Sequence, residues 1–469
     1  YDEITPTTVV NKYVGYIIGF VVFSSLFGLV ADRFICRKRM KGAPQDRPRG
    51  WVLGMLLSSY MLLLPGLFHT LFGYKIAVMN GMKVMSERKE NTVEFAQELW
   101  ESGSALGCFF VVTFAMVLPV VKLVLLALGG ILRHSKDIAQ RKCARRSVIF
   151  VQRISKWASP DMFAYILMTY LIRGINHPPI LCGNMDLDIG FSCFATFCIA
   201  STICSLGARA PSKRDLGLDE TPKTGCGFQT MTVLLCVIAA SIVFIPTLYY
   251  GVMKPCMALR VDMNLVFESG EVDISLKPVI EMLHVQELAA DDVSLWECAT
   301  QLYKWIMPSD EREYWEMNSL VAFLLLSVLV MLFTVLDMIV LLAAAIYMHT
   351  QRRKPVVLME LAHFLRKLSM LDVCTTGILI IILAGRIYRA SGVVVTFQDG
   401  WVLMVVAEVC HYIAYYAVSI TSRYCPEELR RAGSDASHQA MMLKAGQGSE
   451  YDESDIDSTV GGEAHEDSD

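Results

Sequence analysis

Nine apolar blocks, most of them close to 20 residues long, dominate this chain, and about 20 residues is the length that crosses the hydrocarbon core of a bilayer. The first is "KYVGYIIGFVVFSSLFGLVA" at 12–31. The others cover about 51–71, 104–132, 159–175, 188–207, 228–250, 317–347, 369–387 and 400–420. Charged residues make up only 19% of the chain, where a soluble domain carries roughly 25%. These features predict an all-α polytopic membrane protein with about nine transmembrane helices.

The connecting segments alternate in charge. "RFICRKRMKG", "RHSKDIAQRKCARR", "ARAPSKRD", "QRRKP" with "FLRK", and "SRYCPEELRR" follow every second block and are basic. The positive-inside rule then sets an extracytoplasmic N-terminus and a cytosolic C-terminal tail, without naming the membrane. The net charge of −4 does not point to nucleic acid, because the basic residues flank apolar blocks and the acidic ones crowd the end. The tail 421–469, ending "SEYDESDIDSTVGGEAHEDSD", is acidic and poor in apolar residues, so it reads as disordered. The chain opens on Tyr1 and not Met, so targeting signals cannot be judged from it.

Two long outer loops, about 72–103 and 251–316, begin with period-two apolarity beside a glycine turn. "YKIAVMNGMKVM" sets Ile76 and Val78 against Met82 and Val84. "MALRVDMNLVFESGEVDISL" alternates from Met257 and turns at Ser269-Gly270. Both predict small β-hairpins. Cys256 and Cys298 share the second loop and are candidates for a disulfide. The 14 cysteines include no C-x-x-C pair, so no metal site or other cofactor is expected.

Span order repeats. Lys156 aligns with Lys367 and Asp161 with Asp372 at an offset of 211 residues, within the phrases "SKWASPDMF" and "RKLSMLDVC". The expected organisation is an extra helix and basic loop at 1–50, a four-helix module at 51–207, a cytosolic linker at 208–227 and a second four-helix module at 228–420. With "NTVEFAQELWESGS" and "VLPVVKLVLL", these phrases resemble the paraquat-inducible protein A family, whose hallmark is a W-S-M-x-D-V-F-type phrase in each of two tandem modules. The resemblance covers about 51–420; "LSMLDV" is the closer match, while the first copy has Ser159-Pro160 in its place. It implies tetraspanin- or claudin-like four-helix modules with an extracytoplasmic β-sheet. It also implies work on membrane lipids in intermembrane transport, with an extracytoplasmic MCE-domain partner. The family's zinc ribbons are missing here: the matching regions hold only Cys36 and Cys226.

Three groups of residues could carry function. Asp161 and Asp372 sit at helix mouths, either as start signals or as lining of a polar cavity. Ser369 stands at capping-box spacing from Asp372. Lys122 lies deep in a span, three residues after Pro119, where a charge costs about 3 kcal/mol unless partnered. It is read as part of that cavity, or as ion-paired with Asp161. In the second copy Asp337 replaces Pro119 and Val340 replaces Lys122. Glu408, His411 and Tyr415 share one face of the last span at i, i+3, i+7, as a proton-coupling stripe or as hydrogen bonds between helices. No G-x-S-x-G, P-loop or H-E-x-x-H pattern occurs, so no enzyme is expected. The readings carried forward are a lipid transporter, a non-transporting scaffold and a proton-coupled carrier of small solutes.

Overall fold

Glycine lets the first two helices of the chain touch backbone to backbone. Helix α1 (Thr7–Ala31) packs on α2 (Gly50–Phe68) through Gly28, Gly50 and Gly54, where any Cβ would strike the facing main chain. Ser24 Oγ donates to Gly54 O at 2.8 Å across the same seam. The computed structural model describes residues 7–36, 49–78, 83–133, 135–177, 181–211, 227–262, 290–307, 315–389 and 393–422. The linker beyond 211 and the acidic tail beyond 422 lie outside the described residues.

From α2 the chain forms β1 (Phe72–Val78), β2 (Lys83–Glu90), α3 (Thr92–Glu101), α4 (Ala105–Leu132), α5 (Ile138–Ile154), α6 (Pro160–Gly174), β3 (Leu181–Leu187) and α7 (Ile189–Gly207). The same order then recurs. It runs α8 (Gly227–Met253), β4 (Met257–Val261), β5 (Asp291–Val293), α9 (Leu295–Ile306), α10 (Met317–Gln351), α11 (Val356–Leu368), α12 (Leu371–Ala384), β6 (Val393–Phe397) and α13 (Asp399–Thr421). Even local devices match. Helices α3 and α9 each begin with a complete capping box, Asn91 with Glu94 and Ser294 with Glu297. Helices α4 and α10 each contain a stretch of wide π-type turns, Val112–Val117 and Leu325–Leu332. Pro119 follows the first stretch and nothing like it follows the second, so the proline is not what widens the helix.

Eight helical segments among the described residues are long and apolar enough to cross a membrane. The expected span at 159–175 is not one of them. Helix α6 has 15 residues, about 22 Å at 1.5 Å per residue, against a hydrocarbon core of roughly 30 Å. Helix α12 has only 14 and counts as a span only together with α11, across the break at Ser369-Met370. Both can be short because they are sheathed in protein. Every α6 residue from Pro160 to Arg173 is buried, so none needs to match lipid.

Each sheet has three strands, one more than a hairpin supplies. The orders are β2-β1-β3 and β5-β4-β6, antiparallel throughout, and the third strand arrives from just before the last helix of its half. In the first sheet a bulge between Ile76 and Ala77 shifts the expected pairing, so Ile76 faces Ser86 and Val78 faces Lys83. The expected turn at Ser269-Gly270 lies outside the described residues, and the described neighbours of β4 are β5 and β6.

The short helices α6 and α12 cross at Gly377. A Cβ there would lie 2.6 Å from Pro160 O and 2.9 Å from Phe163 Cβ. Toward the sheets, the two halves leave an apolar cleft between them, lined by Tyr74 and Ile76 of β1, Met168 and Leu171 of α6, Leu259 of β4 and Ile381 of α12, among others. Its free volume is about 60 Å³. Gly377→Val should lower thermal stability in detergent by about 1–3 kcal/mol, the usual cost of overpacking, whereas Gly15→Val, with open space around its Cβ position, should not.

Candidate functional site

Glu408 and His411 lie one turn apart on the buried face of α13, as their spacing predicts. The fold brings Asp337 of α10 and Arg366 of α11 to them. His411 Nε2 lies 2.8 Å from Asp337 Oδ2, and Arg366 Nη1 lies 2.6 Å from His411 Nδ1. Arg366 Nη2 donates to Glu408 Oε1 at 2.8 Å. His411 and Asp337 are completely buried, and Arg366 and Glu408 nearly so. A guanidinium cannot accept a hydrogen bond, so Nδ1 is the acceptor and the imidazole carries its proton on Nε2, toward Asp337. Tyr415 is displaced from the centre: its hydroxyl bonds His363 Nδ1 at 2.7 Å.

The network continues to the seam between the halves. Arg366 stacks on the Tyr412 ring at 3.7 Å, and Tyr412 Oη donates to Asp372 Oδ2 at 2.8 Å. Asp372 also accepts from Lys156, at 2.9 Å to Oδ1 and 2.7 Å to Oδ2. Three carboxylates, Asp337, Glu408 and Asp372, thus face two fixed cations, Arg366 and Lys156. The group is one negative charge in excess while His411 is neutral and balanced once it takes a proton. Protonation also changes the bonding. A proton on Nδ1 would oppose the Arg366 N–H, and its available acceptor is Glu408 Oε2, 3.5 Å away and without a hydrogen-bond partner.

The Ser369–Asp372 capping box does not form. Helix α12 starts after Met370, and the Ser369 hydroxyl instead meets Thr334 Oγ1 at 2.7 Å, while its carbonyl accepts from Lys156 at 3.2 Å. At the first mouth Ser159 occupies the N-cap position, but its hydroxyl bonds Lys156 O and caps nothing.

Lys122 and Asp161 are both completely buried, yet they do not pair. Lys122 Nζ donates to Ser155 Oγ at 2.6 Å and Ser201 Oγ at 3.0 Å, and Tyr60 Oη donates to Pro119 O at 2.9 Å nearby. The Asp161 carboxylate has no side-chain partner, and the N–H groups of its own residue and Met162 are the donors nearest it. The recurring element order would place the ammonium of Lys367 at Asp161, as the counterpart of the Lys156–Asp372 bridge, but Lys367 Nζ donates to Gln152 Oε1 at 3.0 Å. Neither Lys122, Asp161 nor Asp372 lines the apolar cleft.

Cys256 and Cys298 are both free thiols, contrary to the expected disulfide. Cys256 Sγ turns instead to Val293 O at 3.2 Å. Arg366, Lys156, Tyr412 and His363 complete the network but do not stand out in the sequence. Arg366 and Lys367 read together as a basic loop, although the first is buried and the second is not. The available signal was period: Met359, Ala362, Leu365 and Arg366 form the buried stripe of α11.

Fold and site together define a multi-pass integral membrane protein with a buried ionic network between its helices. No family model, curated protein or solved structure matches the chain.

Lys156→Met leaves Asp372 short of its cation and should destabilise the protein by about 3–5 kcal/mol, measurable as a lower thermal midpoint in detergent. At the sheet end, burial and then the charge of Glu98 push the Glu90 carboxyl up from 4.5 to about 8. The folded chain therefore keeps a proton that the unfolded chain releases near 4.5, so stability should fall as pH rises from about 4.5 to 8. Thermal scans across that range check this, and Glu90→Gln should flatten the trend.

Proposed function

We propose that the chain is a proton-linked membrane carrier whose cargo is lipid or a similarly amphipathic molecule. One observation carries this reading: His411 is fully buried between Asp337 on one side and Arg366 with Glu408 on the other, in a group lacking one positive charge. Ionisable residues at membrane depth are costly and mark ion pathways by default. Here the two protonation states need different hydrogen bonds, which is what links a proton to a movement.

The cargo reading rests on the apolar cleft between the halves, beneath both sheets. At about 60 Å³ it is too small for an acyl chain, so loading requires the halves to part. Two ion pairs are among the polar contacts that hold them together. Lys156 bridges to Asp372 at one end, and Arg173 bridges to Glu316 at 2.7 Å near the sheets. The first ion pair is tied to His411 through Tyr412 and Arg366, so a proton on His411 would loosen it.

We also infer that 51–207 and 228–420 are tandem copies of one module, which the recurring element order supports. The basic loops favour sheets on the extracytoplasmic side and a cytosolic tail. The resemblance to paraquat-inducible protein A favours phospholipid and an extracytoplasmic MCE-type partner. The chain then acts by moving cargo and not as an enzyme.

The test is the full chain in liposomes with a headgroup-labelled phospholipid, following accessibility of the label to an external quencher with and without a pH gradient. Wild type should move lipid faster with the gradient. His411→Gln keeps a donor for Asp337 and an acceptor for Arg366 but cannot take a proton. It should lose the gradient effect, roughly 5- to 150-fold for a coupling of 1–3 kcal/mol. Lipid movement that ignores the gradient in wild type would overturn the proton link, and no lipid movement at all would favour a structural scaffold.

A further inference from the structure

Buried polar atoms without a hydrogen-bond partner are rare in native proteins, and here they are not scattered. Seven of the eleven among the described residues belong to one line in the first half: both oxygens of Glu90, one of Glu98, Thr92 Oγ1, Tyr165 Oη and both oxygens of Asp161. Within that line the Glu90 and Glu98 carboxyls approach only each other, and Asp161 only the N–H groups of its own residue and Met162. Glu90 is 3% exposed, Tyr165 1%, and Thr92 and Asp161 0%. Asp161 and Tyr165 lie at i, i+4 on α6, one above the other. The Tyr165 ring packs against Phe72 at 5.6 Å and Phe95 at 5.7 Å. Phe72 is the strand partner of Glu90, and Thr92 and Phe95 belong to the helix that follows it. The line therefore runs from the sheet, past one tyrosine, to a buried carboxyl in the first turn of α6.

Among its described residues the second half has no such line. Matching Ser294 to Asn91 by their capping boxes puts Val293, Leu295 and Cys298 where the first half has Glu90, Thr92 and Phe95. Thr376 stands where Tyr165 would be and bonds the Asp372 carbonyl at 2.8 Å. Asp372 itself is saturated by Lys156, Tyr412 and the Val373 N–H. The second half has unpaired atoms only at Asp337 Oδ1 and Glu408 Oε2 of the His411 network among its described residues, whereas the line in the first half ends on the aspartate that has no cation.

We propose that the first half holds a water-lined proton path from Glu90 to Asp161, with Tyr165 as the relay. Buried waters each make two to four hydrogen bonds to polar atoms of this kind. Protons pass from the sheet side to the Glu90 carboxyl, then through water and the Tyr165 hydroxyl to Asp161, which holds one as a neutral acid. No bond other than O–H forms or breaks. The titratable and charged groups facing the path are Glu98 and Glu94 of α3, with Arg88 of β2 paired to Glu98, at one end. At the other end they are Cys198 of α7 and, beyond it, Lys122. This path is separate from the His411 network and stands whether or not that network couples transport.

The test is infrared difference spectroscopy on the full chain in lipid nanodiscs, exchanged from H₂O into D₂O. A carbonyl band of a protonated carboxyl should be present, should shift in D₂O, and should vanish in Asp161→Asn but not in His411→Gln. Tyr165→Phe, which removes one oxygen from a packed ring, should slow deuteration of that band about tenfold, as should Glu90→Gln. Absence of the band in wild type would overturn the proposal. So would deuteration at the wild-type rate in both Tyr165→Phe and Glu90→Gln.

Discussion

Two helices too short to cross a bilayer alone lie against each other at the centre of this protein, and most of the architecture follows from that contact. Helix α6 meets α12 at Gly377, where the main chains approach too closely for any larger residue. Sheathed in protein, the pair escapes the length rule that lipid imposes on the other helices. Their mouths carry Asp161 and Asp372, and their far ends lead into the third strand of each sheet. The crossing thus fixes the distance between the two sheets, the apolar cleft beneath them and the reach of Lys156 across the seam.

Symmetry of sequence and asymmetry of chemistry coexist here. The halves share element order, strand order, capping boxes and the wide turns in α4 and α10. The ionisable groups do not follow. One half gathers Asp337, Arg366, Glu408, His411 and Asp372 into a single bonded group. The other isolates Lys122 among hydroxyls and leaves Asp161 bare. Duplicating a backbone preserves packing because main-chain hydrogen bonds and apolar contacts are generic. A buried charge needs a particular partner at a particular distance, so one substitution, such as Val340 in place of Lys122, reorganises its whole neighbourhood.

The burial of Asp161, Asp372, Glu408 and His411 was legible, because a charge inside an apolar run is conspicuous. Their partners were not. Arg366 and Lys156 sit in segments that read as basic flanks, and nothing local separates a lysine that snorkels to water from one buried against a carboxylate. Of the alternatives open for Lys122, the ion pair with Asp161 is not the one that forms, because a shared depth in the membrane does not aim a side chain. The expected disulfide is absent because sharing a loop does not aim two sulfurs at each other: Cys256 Sγ turns to Val293 O.

The sequence by itself determined that this chain is a helical membrane protein, where most of its spans lie and that its halves share a pattern. Those properties depend on hydrophobic length and period, which each segment carries alone. Tertiary structure decided which helices are shielded from lipid, how three strands from distant segments close each sheet, and which charges are neutralised. These depend on contacts between residues hundreds of positions apart, such as Lys156 with Asp372, and on where two backbones can touch.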